Sequence, residues 1–179
     1  MAGYIVFLRA VNVGKRQLKM ADARAALSDH GFGDVESHIQ TGNFFVSSPL
    51  RSVAKLEAEV GQVLSAHAGF DIVAIARKPA ELPALLEEVD GIPEQLKGET
   101  SRYVSFCTTA PSAAAAKELH AQEAARERAT VIGKDVLMEF AVPFNEAKLT
   151  GARIEKILGV PGTARNIKVV RALAQKWGA

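Results

Sequence analysis

Three short stretches of the chain carry residue types that can grip an anion or a planar polar group. The first holds Arg9, Asn12 and Gly14, the second Gln40, Gly42 and Asn43, the third Thr163, Arg165 and Asn166. Guanidinium and side-chain amide groups offer several hydrogen bonds at once. Arg165 and Asn166 are expected to begin the last helix, whose N-terminus adds free backbone donors. If the three stretches meet, they form a cationic and uncharged polar site suited to an anionic small molecule or a nucleotide. The same residues also fit structural duties. Gly42 and Asn43 suit a turn that needs positive φ. Gln40 and Asn12 suit the satisfaction of loop backbone, and Arg9 can pair with a buried carboxylate. On the sequence alone both readings stand.

A second surface lies near the C-terminus. Thr150 can cap a helix through Leu158, Gly159 and Pro161 stop it, and Thr163 can cap the next. From Lys148 onward there are seven basic residues (Lys148, Arg153, Lys156, Arg165, Lys168, Arg171 and Lys176) against one acid, Glu155. Two short helices around a glycine-bearing turn, followed by basic residues, can contact a phosphate backbone. Lys148, Arg153, Lys156, Arg165, Lys168 and Arg171 are therefore candidate nucleic-acid contacts. The competing reading is a solvated basic face on an ordinary closing helix.

Catalytic and metal signatures are missing. No phosphate-cradling loop, dinucleotide fingerprint or nucleophile elbow occurs. The four histidines, His30, His38, His67 and His120, lack metal-ligand spacing. Cys107 sits in an apolar run, where a buried inert thiol is the usual outcome. No cofactor and no metal is expected. An enzyme built on the polar residues above, without a recognised motif, stays open as a third reading. Nucleic-acid binding through an open sheet face needs exposed aromatics, and Phe44 and Phe45, being adjacent, point to opposite faces of a strand.

The elements that must position these residues follow from local patterning. The run Tyr4–Arg9 reads as a buried strand. Met20 to His30 reads as a helix ended near Gly31. Val35 to Gln40 and Phe44 to Ser48 read as a hairpin around Thr41, Gly42 and Asn43. Ser52 caps a helix to about Ala68, ended by Gly69, and residues 71–77 form another strand. This order of strand, helix, strand, strand, helix, strand is that of a ferredoxin-like α/β plait. After a helix from Pro79 and a loop at 91–100, much of it recurs. A strand at 102–107 precedes an alanine-rich helix near 112–126, then a hairpin around Gly133, Lys134 and Asp135, then two closing helices. The expected fold is α+β: two ferredoxin-like sandwiches with antiparallel sheets, residues 1–90 and 91–179, plus closing C-terminal helices.

Three longer stretches carry a resemblance. They are FLRAVNVGKRQLKM (7–20), HIQTGNFFVSS (38–48) and GVPGTARNIKVVRAL (159–173). In order and spacing they resemble the bacterial domain-of-unknown-function family 1697, over essentially the whole chain. That family's pattern opens with a strand ending in arginine and an asparagine–valine–glycine turn. It continues with a glutamine–serine/threonine–glycine–asparagine hairpin and closes with threonine–any–arginine–asparagine. The matching positions are Arg9, Asn12, Gly14, Met20, Gln40, Gly42, Asn43, Thr163, Arg165 and Asn166. The resemblance implies two ferredoxin-like units and no named activity. Lys15 departs from it, since the family commonly has a second glycine there, and makes the loop stiffer and more basic.

Composition bounds the rest. The chain has 179 residues, 48% of them hydrophobic and 23% charged, so it can bury a core and is not disordered. The net charge of +2 conceals an asymmetry. Residues 1–90 carry nine basic and eleven acidic side chains, and residues 91–179 carry thirteen and nine. One cysteine, no signal-peptide core and no long apolar segment point to the cytoplasm and away from membranes. Sheet edges in each half could pair between chains, which would give a homodimer.

Overall fold

The computed structural model describes residues 1–178. The chain divides into two compact units, Met1–Leu82 together with the chain from Leu173 onward, and Pro83–Ala172. Each is built around a four-stranded antiparallel sheet, and among the described residues there are six α-helices in all.

The first unit contains β1 (Ala2–Arg9), α1 (Met20–Asp29), β2 (Gly33–His38), β3 (Asn43–Ser48), α2 (Val53–Ala68) and β4 (Val73–Arg77), with sheet order β2-β3-β1-β4. Val6 stands opposite Phe44 on one side and Ala76 on the other. Alternate residues of the strands (Tyr4, Val6, Leu8, Phe44, Val46, Ala74, Ala76) form one core with Ala23 and Leu27 of α1 and Leu56, Val60 and Leu64 of α2. That is the period-2 face of the sheet meeting the 3.6-period stripes of two helices. Local signals set the helix ends. The Ser52 hydroxyl accepts from the Lys55 N–H, and Gly69 closes α2 in the left-handed region. Ile5, Phe7 and Ile75, on the other face, are buried as well. Phe44 is buried, and the ring of Phe45 lies 5.9 Å from that of Trp177. In this sheet neither phenylalanine forms an open aromatic platform.

The helix α3 (Glu81–Gly91) leads to β5 (Ser101–Cys107), α4 (Ala113–His120), β6 (Glu127–Ile132), β7 (Asp135–Phe140), α5 (Gly151–Leu158), β8 (Gly162–Asn166) and α6 (Ile167–Trp177), with sheet order β6-β7-β5-β8. Its core gathers Leu119 of α4, Ile154 and Leu158 of α5, and Cys107, Ala129, Val136, Met138 and Phe140 of the strands.

Two expected elements differ. The alanine-rich helix stops at His120 rather than near 126. Beyond it Ala124 and Glu127 bridge, and the Ala141 N–H donates to the Arg126 carbonyl, so this segment joins the strand layer. The larger difference is β8. Residues 162–166, expected to begin the last helix, are instead a strand beside β5, with Cys107 opposite Gly162 and Tyr103 opposite Asn166. The edge of β5 needs a hydrogen-bonding partner, and that non-local demand overrides the local reading.

Both β4 and β8 are outer strands, and a helix carboxylate takes an N–H of each. Ala76 N–H donates to Glu57 at 2.7 Å, and Gly162 N–H donates to Glu155 at 3.0 Å. These contacts occupy backbone donors that a second chain would need for edge pairing. Among the described residues no helix is long and apolar enough to cross a membrane.

Candidate functional site at the loop end of the first unit

The first two sequence stretches meet at one end of the first unit's sheet, through Asn12. Its Nδ2 donates to the carbonyls of Leu18, at 3.0 Å, and of Gln40, at 2.7 Å. Its Oδ1 accepts from the Leu18 N–H at 2.8 Å. One side chain thus closes the β1–α1 loop on itself and fastens it to the β2–β3 turn. Within the loop, Asn12 N–H donates to the Arg16 carbonyl and Arg16 N–H to the Val13 carbonyl, a tight hairpin with Gly14 at φ +58°.

The turn is held as firmly. Asn43 is 0% exposed, and its Nδ2 donates to the His38 carbonyl and to Thr41 Oγ1. Leu8 N–H donates to the Gly42 carbonyl at 2.8 Å. Gly42 has φ +75°, and a Cβ there would lie 2.8 Å from both Leu8 Cβ and Val11 Cγ2. Only glycine fits. Gln40 is exposed and meets Asn12 through its backbone, while Arg9, partly exposed, closes β1 opposite Val73 of β4.

Asn12, Gly42 and Asn43 are therefore the fasteners of this end, and what they present to solvent is basic. Four basic residues and no acid lie between Arg9 and Lys19. Lys15, Arg16 and Lys19 are exposed. The Arg16 guanidinium lies 5.6 Å from the Phe70 ring centroid and donates to the Asp71 carbonyl at 3.4 Å, which steers it toward the start of β4. Lys15, Arg16 and Lys19 were not among the sequence candidates. The available signal was the basic pair inside a glycine-bearing loop, and an exposed loop held on a rigid scaffold is a frequent carrier of function.

The third stretch belongs to the second unit. There Arg165 is buried, and its Nη1 donates to Thr163 Oγ1 at 2.8 Å and to the Ala164 carbonyl at 2.9 Å. Burial pulls the guanidinium down to about 10, well below its usual range. Thr163 is a strand residue and caps no helix. Asn166 ends β8 and does support α6, since its Oδ1 accepts from the Lys168 N–H at 2.9 Å.

The model of a family of proteins of unknown function, DUF1697, matches residues 1–137. The chain belongs to this family. Among solved structures, the conserved bacterial protein SP0830 from Streptococcus pneumoniae is similar, with 24% identity and a TM-score of 0.64. The match covers 100% of this chain and 99% of that one, and the likeness is one of fold. No curated protein matches.

In this DUF1697 protein the basic C-terminal segment is divided up by its contacts. Thr150 caps α5 and Gly159 ends it in the left-handed region, as the sequence implies. The intervening β8 then removes the compact helix–turn–helix geometry expected of 150–177. Arg171 makes a two-point ion pair with Asp90, at 2.5 and 3.1 Å, which lowers the Asp90 carboxyl and raises the guanidinium. Arg153 donates to Gln122 at 2.7 Å, Lys176 pairs with Glu36 at 2.8 Å, and Arg165 is buried. Lys148, Lys156 and Lys168 are exposed.

The histidines and the cysteine take structural or surface places. His30 pairs with Glu59 at 3.2 Å, His120 with Glu123 at 3.0 Å, and His38 meets the Trp177 ring edge-on. His67 is exposed in the last turn of α2, and Cys107 is buried. Among the described residues no group of three or more His, Cys, Asp and Glu could hold a metal.

The second unit holds a buried charged cluster whose members are far apart in sequence. Arg102, Glu139 and Arg128 lie side by side on β5, β7 and β6. The Glu139 carboxylate, 0% exposed, accepts from Arg102 Nε at 3.0 Å and from Arg128 Nε at 2.7 Å. The outer nitrogens of the two guanidiniums donate to the carbonyls of Val89, Ile92 and Pro93 and to Gln95. With both guanidiniums bonded on every side, this cluster anchors the 91–100 segment and leaves little for a ligand.

Proposed function

We propose that this protein binds an anionic ligand at the loop end of its first unit, and that the binding is non-catalytic. The observation that carries the reading is the Asn12 fastening. It holds a loop with three basic residues and no acid rigid against the β2–β3 turn, with Lys15, Arg16 and Lys19 in solvent. A loop already ordered loses little entropy on binding, so its cations are suited to an oxyanion.

The topology also supports a finer description of the fold. We infer that each unit is a ferredoxin-like plait. In both, the order is β-α-β-β-α-β, and the strands lie in the order second, third, first, fourth.

The test is thermal unfolding with inorganic phosphate. Phosphate should raise Tm in the parent protein and less in Lys15→Ala/Arg16→Ala. Lys156→Ala/Lys168→Ala should leave the response intact. Equal responses in the first variant and the parent would refute the site.

A further inference from the structure

Five large hydrophobic side chains are exposed among the described residues, and three of them stand at this same end. Val13, Ile39 and Val73 are 65, 47 and 40% exposed. Bonds and pairing of their neighbours place them at one end of the sheet. Asn12, next to Val13, holds the Gln40 carbonyl, next to Ile39. Val73 stands opposite Arg9 in the sheet, and Arg16 reaches the carbonyl of Asp71, two residues before it.

Ile39 is unusual in a second way. Its φ is +52°, a region that a β-branched residue disfavours strongly. A turn position suited to glycine or asparagine holds an exposed, strained isoleucine instead. The side chain adds little to the core and raises the energy of the folded chain. Contact with a partner accounts for both facts.

We propose that this end docks an acidic polypeptide segment bearing apolar side chains. Val13, Ile39 and Val73 take the apolar groups, and Lys15, Arg16 and Lys19 take the carboxylates. The inference deepens the anion-binding reading and rests on it. Charge selects the partner, because the loop from Arg9 to Lys19 is basic throughout. The chemistry of the apolar groups selects it further. Nucleobases are held by stacking on aromatic faces, whereas the exposed groups here are aliphatic. The nearby ring of Phe70 already carries the Arg16 guanidinium. A bare anion would use the cations and leave all three aliphatic groups in water.

The experiment titrates the full chain with labelled poly-glutamate, with a glutamate–tyrosine copolymer of equal length, with a single-stranded oligonucleotide, and with inorganic phosphate. The copolymer should bind about tenfold tighter than poly-glutamate, the worth of burying part of the exposed aliphatic surface of Val13, Ile39 and Val73. Val13→Ser/Ile39→Asn should abolish that preference and leave the phosphate response unchanged. Asparagine tolerates positive φ, so this variant should melt no lower than the parent, which separates lost binding from lost folding. Lys15→Ala/Arg16→Ala should weaken both polymers and phosphate. Equal binding of the two polymers, a preference that survives Val13→Ser/Ile39→Asn, or tighter binding of the oligonucleotide overturns the docking proposal and spares the anion site. A phosphate response indifferent to Lys15→Ala/Arg16→Ala overturns the anion site itself.

Discussion

Asn12 Nδ2 sits 2.7 Å from the Gln40 carbonyl, 28 residues along the chain, and joins the β1–α1 loop to the β2–β3 turn. The same side chain makes two further bonds, both to Leu18. Asn12→Ala removes all three and leaves the partly buried N–H and carbonyl of Leu18 unpaired, while the Gln40 carbonyl, which is exposed, turns to water. The expected cost is about 1–3 kcal/mol, read as a lower denaturant midpoint with an unchanged slope. Hydrogen exchange at the Leu18 amide should speed up before that of the β1 amides. Equal protection at Leu18 in variant and parent would show that the loop is held by something else.

Gly42 supports the same junction from the other side. Gly42→Ala must place a Cβ 2.8 Å from both Leu8 Cβ and Val11 Cγ2 while keeping φ near +75°. Neither the contact nor the dihedral can be relieved without moving the turn away from β1. A loss of at least about 2 kcal/mol is expected. Gly14→Ala, also at positive φ but with nothing within 4 Å, should cost less. Comparing the two melting temperatures separates the steric part from the conformational part.

Glu139 tests the buried cluster. Replacing it with glutamine removes the charge that two guanidiniums share and leaves both cations in a buried setting. Breaking such a group costs about 3–5 kcal/mol, whereas Arg153→Ala, on an exposed pair with Gln122, should cost well under that. Because Arg102 and Arg128 also hold Ile92, Pro93 and Gln95, limited proteolysis of Glu139→Gln should cut within 91–100 first. First cleavage elsewhere would mean that the arginines hold the segment without Glu139.

These contacts also explain what could be read from the sequence. The β2–β3 hairpin was legible in Thr41-Gly42-Asn43, and the caps in Ser52, Thr150, Gly69 and Gly159, because turn and cap chemistry is decided within a few residues. The strand β8 was not. Its sequence, GTARN, has no apolar alternation, and it is a strand because β5 lies beside it. The cluster of Arg102, Glu139 and Arg128 was hidden for a similar reason, since its members are 37 and 11 residues apart and only the sheet register makes them neighbours. At the candidate site, the sequence left Asn12, Gly42 and Asn43 open between a binding and a structural duty. Their contacts show the structural duty, and the proposed anion site rests on Lys15 and Arg16 in the same loop.

The last turn of α6 offers a prediction about pH. Lys176 Nζ lies 2.8 Å from Glu36 Oε2, and the Trp177 indole N–H donates to the same oxygen at 3.2 Å. These hydrogen bonds, Lys176 first, hold the Glu36 carboxyl below the usual carboxylate range. The folded state then favours the charged form more than the unfolded chain does. Its contribution is complete above the ordinary glutamate value, about 4, and is lost as pH falls through the lowered folded value. Trp177, the chain's one tryptophan, packs near Phe45 and His38, so its fluorescence reports the contact directly. Acid titration should shift the emission of the parent below the carboxylate range. Glu36→Gln cannot ionise, so the difference between parent and variant stability should shrink toward zero under acid conditions. A difference that persists at pH values below the folded carboxyl would show that the C-terminal turn is held by the indole packing and not by the charge.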